Sequence, residues 1–145
     1  MTPTFVWKAL RSESLPVENG GIATRDFIYV DDIVEGLVAC ALRGRAGEVY
    51  NLASGVETSI KELAELVNAL AGNKAGLDLK PARHWDRSGK RYGDPAKARA
   101  ELGFAAGVGL GDGLARTIAW TRAERETIQR AIDRHARFMR ELEAR

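Results

Sequence analysis

Arginines, rather than acids, histidines or cysteines, are the residues best placed to do chemistry in this sequence. Arg25 stands at the entrance of Thr24-Arg25-Asp26-Phe27-Ile28-Tyr29-Val30-Asp31-Asp32. Arg83, Arg87 and Arg91 punctuate residues 82–92, together with His84, Trp85, Asp86 and Lys90. A planar guanidinium offers paired donors that match phosphate or carboxylate oxygens, so two of them on separate loops could clamp an anion. Plainer readings exist for each. Arg25 could pair with Asp26, Asp31 or Asp32, and the second cluster could be a solvated charged loop. Trp85 could fill a gap in the core instead of stacking on a base, and Asn51 could cap a turn. Other chemistries lack their groups. His84 and His135 have no Ser, Cys or acidic partner at the spacing a nucleophilic triad needs. Cys40 is alone within an apolar helical pattern and reads as a buried structural thiol, and CxxC-type metal spacings are absent. The run Gly107-Val108-Gly109-Leu110-Gly111-Asp112-Gly113 lacks dinucleotide-loop spacing and a preceding buried strand, so it reads as a flexible connector.

The elements that must position the arginines follow from periodicity. Phe27 and Tyr29 alternate with Ile28 and Val30, which predicts a strand over residues 23–30, covered on both faces. Such a strand belongs to a mixed α/β layer architecture. Asp31 or Asp32 is placed to cap the helix predicted over 33–42, whose apolar face is Ile33, Val34, Leu37, Val38, Ala41 and Leu42. Asn19-Gly20-Gly21 predicts a hairpin joining 15–18 to that strand. A short helix over 3–11 precedes it without a visible partner. Val49-Tyr50-Asn51-Leu52-Ala53 predicts a buried strand. Ser59 and Glu62 have capping-box spacing before the apolar repeat Ile60, Leu63, Ala64, Val67, Leu70 and Ala71, and Gly72 closes it. Residues 77–80 read as an edge strand limited by Pro81. Asp94-Pro95 opens a helix that ends at Leu102-Gly103. From Asp112 a helical stripe through Leu114, Ile118, Ile128, Ile132, His135, Met139 and Leu142 runs on with nothing to stop it, close to a heptad seam.

The totals are those of a soluble globular chain: 145 residues, 45% hydrophobic, 29% charged, net charge +2. One domain is expected, divided as residues 1–122 and a helical extension over 123–145. Dispersed cations give no default for nucleic acid. No apolar run approaches the ~20 residues of a membrane span, and no signal peptide opens the chain, so a cytoplasmic setting is expected.

Several stretches together resemble the NAD-dependent epimerase/dehydratases, the extended short-chain dehydrogenase/reductases. The 24–32 stretch is similar to their R-D-F-x-Y/H-V-D-D signature. Glu48-Val49-Tyr50-Asn51-Leu52-Ala53-Ser54-Gly55 resembles E-V-Y-N-I-G-S-G, and Ser59-Ile60-Lys61-Glu62-Leu63 resembles S-x-x-E-L. Asp94-Pro95-Ala96-Lys97-Ala98, Glu101-Leu102-Gly103-Phe104 and the segment from Gly113-Leu114 to Trp120 complete the order. The resemblance implies an α/β fold: the C-terminal part of the family fold, with a last Rossmann-type strand and helix, a small substrate-binding subdomain and a long C-terminal helix. It implies nucleotide-sugar chemistry, with NAD bound by an N-terminal part and the substrate's nucleoside diphosphate by this part. Arg25 matches a diphosphate-contacting arginine, and Arg83 matches the one reaching from the other side. The family's R-x-G-D is here Arg83-His84-Trp85-Asp86. Trp85-Asp86-Arg87-Ser88-Gly89-Lys90-Arg91 resembles a variant found in some sugar-nucleotide epimerases, and it leaves open which of Arg83, Arg87 and Arg91 faces phosphate. Asn51 lies at the strand end that the family places near the nucleotide.

The family's catalytic Y-x-x-x-K is absent: Tyr29 is followed at that spacing by Ile33, Tyr50 by Ser54 and Tyr92 by Ala96, with Lys97 one place late. No glycine-rich phosphate loop follows a buried strand. The tyrosine needs a lysine to lower its pKa and hydride transfer needs the nicotinamide. The chain alone is therefore expected to hold no NAD, to carry no catalytic residue and to be inactive. Its expected function is the nucleotide-sugar-binding portion of an enzyme like UDP-glucose 4-epimerase, an isomerase; the alternative is a non-catalytic binding or assembly module. Its expected partners are a nucleoside diphosphate sugar, a missing NAD-binding half or a second copy, with no nucleic acid and no membrane.

Overall fold

The computed structural model describes residues 1–82, 84 and 89–143. Among the described residues six α-helices and five short strands make a mixed α/β fold: α1 (Thr2–Ala9), β1 (Leu15–Glu18), β2 (Thr24–Asp26), α2 (Val30–Arg43), β3 (Glu57–Ser59), α3 (Ile60–Ala71), β4 (Leu77–Lys80), β5 (Lys90–Arg91), α4 (Ala96–Leu102), α5 (Leu110–Ala123) and α6 (Arg125–Glu143). The larger core joins α1, β1, α3 and α5. Phe5, Val6, Leu15, Val17, Leu63, Val67, Leu114 and Ile118 are buried there. Each fully buried aliphatic side chain contributes about 1.5–3 kcal/mol, so this cluster anchors the fold. The smaller core sets Ala39 of α2 against Ala98, Leu102 and Phe104, with Cys40 half-buried at its edge.

Helix α3 has the termini its sequence demands. The Ser59 hydroxyl accepts from the Glu62 amide at 3.1 Å, the Glu62 carboxylate accepts from the Ser59 amide at 2.8 Å, and Gly72 ends the helix at φ 71°. The predicted hairpin at residues 19–21 is instead a 3-10 turn. Asn19, Gly20 and Gly21 do take positive φ, but β1 pairs in parallel with β4, and β2 lies between antiparallel β3 and parallel β5. The helix expected to lack a partner, α1, packs against α3 and α5 in the main core.

Five further expectations are corrected. The strand predicted over 23–30 is confined to β2, because Tyr29 already accepts the Ile33 amide and helix α2 begins at Val30. Neither Asp31 nor Asp32 caps that helix; its N-cap is Tyr29, without a side-chain bond, and both acids sit in the first turn. The apolar face predicted on α2 is largely uncovered. Val34, Leu37, Val38 and Leu42 are each more than half exposed, whereas Asp32, Gly36 and Ala39 are its buried residues. Residues 49–53 run without a strand ladder among the described residues, and Val49 is 79% exposed. The long C-terminal helix is divided at Glu124, although the Ile128 amide bonds the Glu124 carbonyl as the next helix starts.

Candidate functional site

Strand pairing puts two of the sequence-selected arginines side by side. In the parallel β2–β5 ladder Arg25 is the partner of Arg91, and on its other side Arg25 faces Thr58 of β3. Like charges directly opposite in a sheet repel, and here the two arginines occupy neighbouring positions of the central strand β2 and the outer strand β5. Arg25 Nη1 also donates to the Thr24 carbonyl at 2.6 Å and the Gly89 carbonyl at 3.1 Å, which ties the start of β5 to β2. Arg83, Trp85 and Arg87 lie outside the described residues.

Asp26, next to Arg25, organises the surrounding loops. Its Oδ1 accepts from the Ser54 amide at 3.0 Å and the Ser54 hydroxyl at 2.6 Å. Its Oδ2 accepts from the Gly55 amide at 2.9 Å and, over a longer 3.5 Å, from the Gly93 amide. Asn51 joins the same assembly by donating from Nδ2 to the Asp94 carbonyl at 3.3 Å. Residue 93 must be glycine for this approach, since a Cβ there would stand 2.6 Å from the Ala53 Cβ. Three segments separated in sequence, carrying Arg25, Asn51 and Arg91, thus converge around one carboxylate. The doubled acid at 31–32 and the Arg25-Asp26 pair drew attention in the sequence as a cap and an ion pair; the loop-holding role of Asp26 had no local signal.

Asp32 has a parallel role at the other end of the stretch. Only 4% exposed, it accepts from the Gly107 amide at 3.0 Å and the Val108 amide at 3.1 Å. The run expected to be a flexible connector is therefore fixed by a carboxylate and continues directly into α5. Asp31 faces Arg116 at 3.9 Å, and that guanidinium lies 5.4 Å from the Tyr29 ring centre. An apolar cavity of about 250 Å³ is lined by Phe27, Tyr29, Leu110 and Leu114, among others, with no charged residue among the described ones. Nearby, the 45–50 segment is clipped to α4. Lys97 pairs with Glu48 at 2.6 Å and lies over the Tyr50 ring, and Arg45 pairs with Glu101 at 2.7 Å. The Lys97 hydrogen bond holds the Glu48 carboxyl below its ordinary range, and Glu48 in turn raises Lys97. Among the described residues no group of His, Cys, Asp and Glu could hold a metal ion.

This α/β portion, with its R-D stretch and convergent loops, has known relatives. The family model for GDP-mannose 4,6 dehydratase matches residues 3–117. The dTDP-glucose 4,6-dehydratase of Streptomyces griseus is 38% identical over 128 residues, covering 86% of this chain and 38% of that protein. The UDP-glucose 4-epimerase of Mycolicibacterium smegmatis is 31% identical over 113 residues, covering 78% and 36%. Among solved structures, the Bordetella bronchiseptica enzyme WbmF in complex with NAD+ and UDP is 55% identical, with a TM-score of 0.83, over 93% of this chain and 40% of that one. The chain belongs to the NAD-dependent epimerase/dehydratases of the extended short-chain dehydrogenase/reductase family, and its fold is a C-terminal portion of theirs. It spans about two fifths of the length of the relatives it matches.

Proposed function

We propose that this chain is the substrate-side portion of a nucleotide-sugar epimerase or dehydratase and holds the nucleoside diphosphate of its substrate. The observation that carries the reading is the register that sets Arg25 beside Arg91 on adjacent strands, with Asn51 drawn in by the Asp26-centred loops. Arg25 is one jaw of the clamp and Arg83 the other. Trp85, Arg87 and Arg91 stand with Asn51 as substrate-side residues. A UDP-sugar and epimerisation are favoured by the Trp85-to-Arg91 variant and by similarity to WbmF, whose structure was solved with NAD+ and UDP. The similar dTDP-glucose 4,6-dehydratases make dehydration the competing chemistry.

The residues present do not fit an NAD site. No glycine-rich loop follows a strand among the described residues, and the 107–113 run is bound to Asp32 and opens α5 instead. NAD and the hydride-transfer tyrosine belong to the remaining portion of a family-length enzyme, which would cover α2 and residues 49–53, in a cytoplasmic setting. The non-catalytic reading, a binding or assembly module, draws support from α6, whose residues 125–139 are all exposed or half-buried.

Calorimetry with UDP tests the clamp. The chain is expected to bind UDP, and Arg25→Ala is expected to weaken binding roughly tenfold or more, the loss of a charge-assisted hydrogen bond of about 1.5–3 kcal/mol. Unchanged affinity would assign Arg25 to the fold alone. NAD with a panel of UDP-, GDP- and dTDP-sugars is expected to give no turnover, and turnover would overturn the reading of the chain as a portion.

A further inference from the structure

A second gathering of cations lies away from the Arg25 strand and shares no lining residue with it. Helix α1 and the α5–α6 junction enclose a cleft of about 290 Å³ lined by Trp7, Leu10, Arg11, Thr121, Arg122 and Arg125. The three arginines are exposed, Trp7 and Leu10 are half-buried, and among the described residues no acidic one lines the cleft. Of the acidic residues close to these arginines in sequence, Glu124 does not line the cleft, and Glu13 and Glu126 are paired. Glu13 accepts from Lys8 at 2.8 Å and from Arg11 Nε at 2.7 Å, and those two bonds hold it below its ordinary range, charged. Glu126 faces Arg130 at 3.9 Å. Arg122 has one long bond, from Nη2 to the Ala71 carbonyl at 3.4 Å, and Arg125 has no hydrogen bond or ion pair among the described residues.

The plain explanation is that these arginines offset the negative ends of α1 and α5. It accounts for part of the arrangement only. The terminal carbonyls there already have backbone donors: Leu10 to Val6, Arg11 to Lys8 and Glu124 to Trp120. Arg125 opens α6, where a cation meets the positive end of the helix dipole and is disfavoured. Arg122 and Arg125 are also three residues apart on consecutive helical turns, a spacing at which like charges repel. An anion in the cleft relieves both penalties, and a guanidinium pair meets phosphate oxygens with several donors at once. Trp7, half-buried, lines the same cleft and gives it an aromatic surface that a flat ring can meet.

We propose that this cleft is a binding site for a small phosphate ester of a flat ring, with Arg11, Arg122 and Arg125 on the phosphate and Trp7 against the ring. The ring can be a simple aryl group or a nucleobase. Calorimetry on the full chain with phenyl phosphate, AMP and inorganic phosphate separates these sources. Either ester is expected to bind more tightly than inorganic phosphate. The double variant Arg122→Gln/Arg125→Gln is expected to lose at least about tenfold in affinity, with an unchanged circular dichroism spectrum. Arg25→Ala is expected to leave the binding intact, which keeps this site separate from the proposed diphosphate clamp. Esters that bind no better than inorganic phosphate, an affinity indifferent to the double substitution, or binding that disappears with Arg25→Ala would each overturn the proposal.

Discussion

A carboxylate that accepts donors from two distant loops fixes more than its own position. Asp26 takes three bonds of 3.0 Å or less from Ser54 and Gly55, and a longer one from Gly93. Asparagine has nearly the same shape, but one end of its amide would present N–H groups to donors that need an acceptor. Asp26→Asn is therefore expected to destabilise the chain by about 1–3 kcal/mol, the cost of leaving part-buried donors without partners. Ser54→Ala removes one donor and its hydroxyl, with an expected cost of about 1 kcal/mol. Because both act through the same turn, the double variant is expected to cost less than the sum. Urea unfolding of the three variants measures this directly, and strict additivity would mean that Asp26 does not organise the turn.

Helix α3 shows what a segment can declare about itself, and the arginine strand shows what it cannot. The S-x-x-E spacing, the apolar repeat and Gly72 all act within one helix, so its start, its buried face and its end were legible from adjacent residues. The positive φ at residues 19–21 was equally legible, but the partners of β1 and β2 were not, because β4 and β5 lie some sixty residues onward and no local rule selects them. The same limit hid the roles of Asp26 and Asp32, whose donors sit 28 to 76 residues away. Arg25 and Asn51 could be picked by type, while their convergence depended on those long-range bonds. The local signal in α3 can be tested by acid. Bonds from the Ser59 backbone first, and its side chain second, hold the Glu62 carboxyl below its ordinary range. A depressed carboxyl contributes stability above its unfolded pKa, about 4.3 for glutamate, and loses that contribution as pH falls through the lower folded value. The stability difference between the native chain and Glu62→Gln is thus expected to be constant near neutrality and to shrink below about pH 4.3. Parallel urea titrations at several pH values measure it, and a difference that grew on acidification would contradict the capping box.

At the scale of the molecule, the exposed apolar surface is concentrated rather than scattered. Val30, Val34, Leu37, Val38 and Leu42 line one side of α2, all more than half exposed, and Val49 follows on the unladdered segment beyond it. Isolated surface aliphatics are ordinary, but a contiguous patch of this kind marks a face that is covered in use. The repeat at 30, 34, 38 and 42 forms an i, i+4 ridge suited to packing against another helix or a sheet. Relatives more than twice as long have further chain to cover such a face, and in a solution of the isolated chain a second copy can cover it. Helix α6 offers a rival surface, with Ile132, Phe138 and Met139 each more than 40% exposed. The two can be told apart by light scattering at micromolar concentration. The native chain is expected to self-associate, and Leu37→Glu/Leu42→Lys is expected to shift it to monomer because a charge buried without a partner is costly. A chain ending at Trp120 is expected to keep the native oligomeric state. If the truncation dissociates the oligomer and the α2 variant does not, the α6 stripe is the assembly surface and the α2 face is not what holds the copies together.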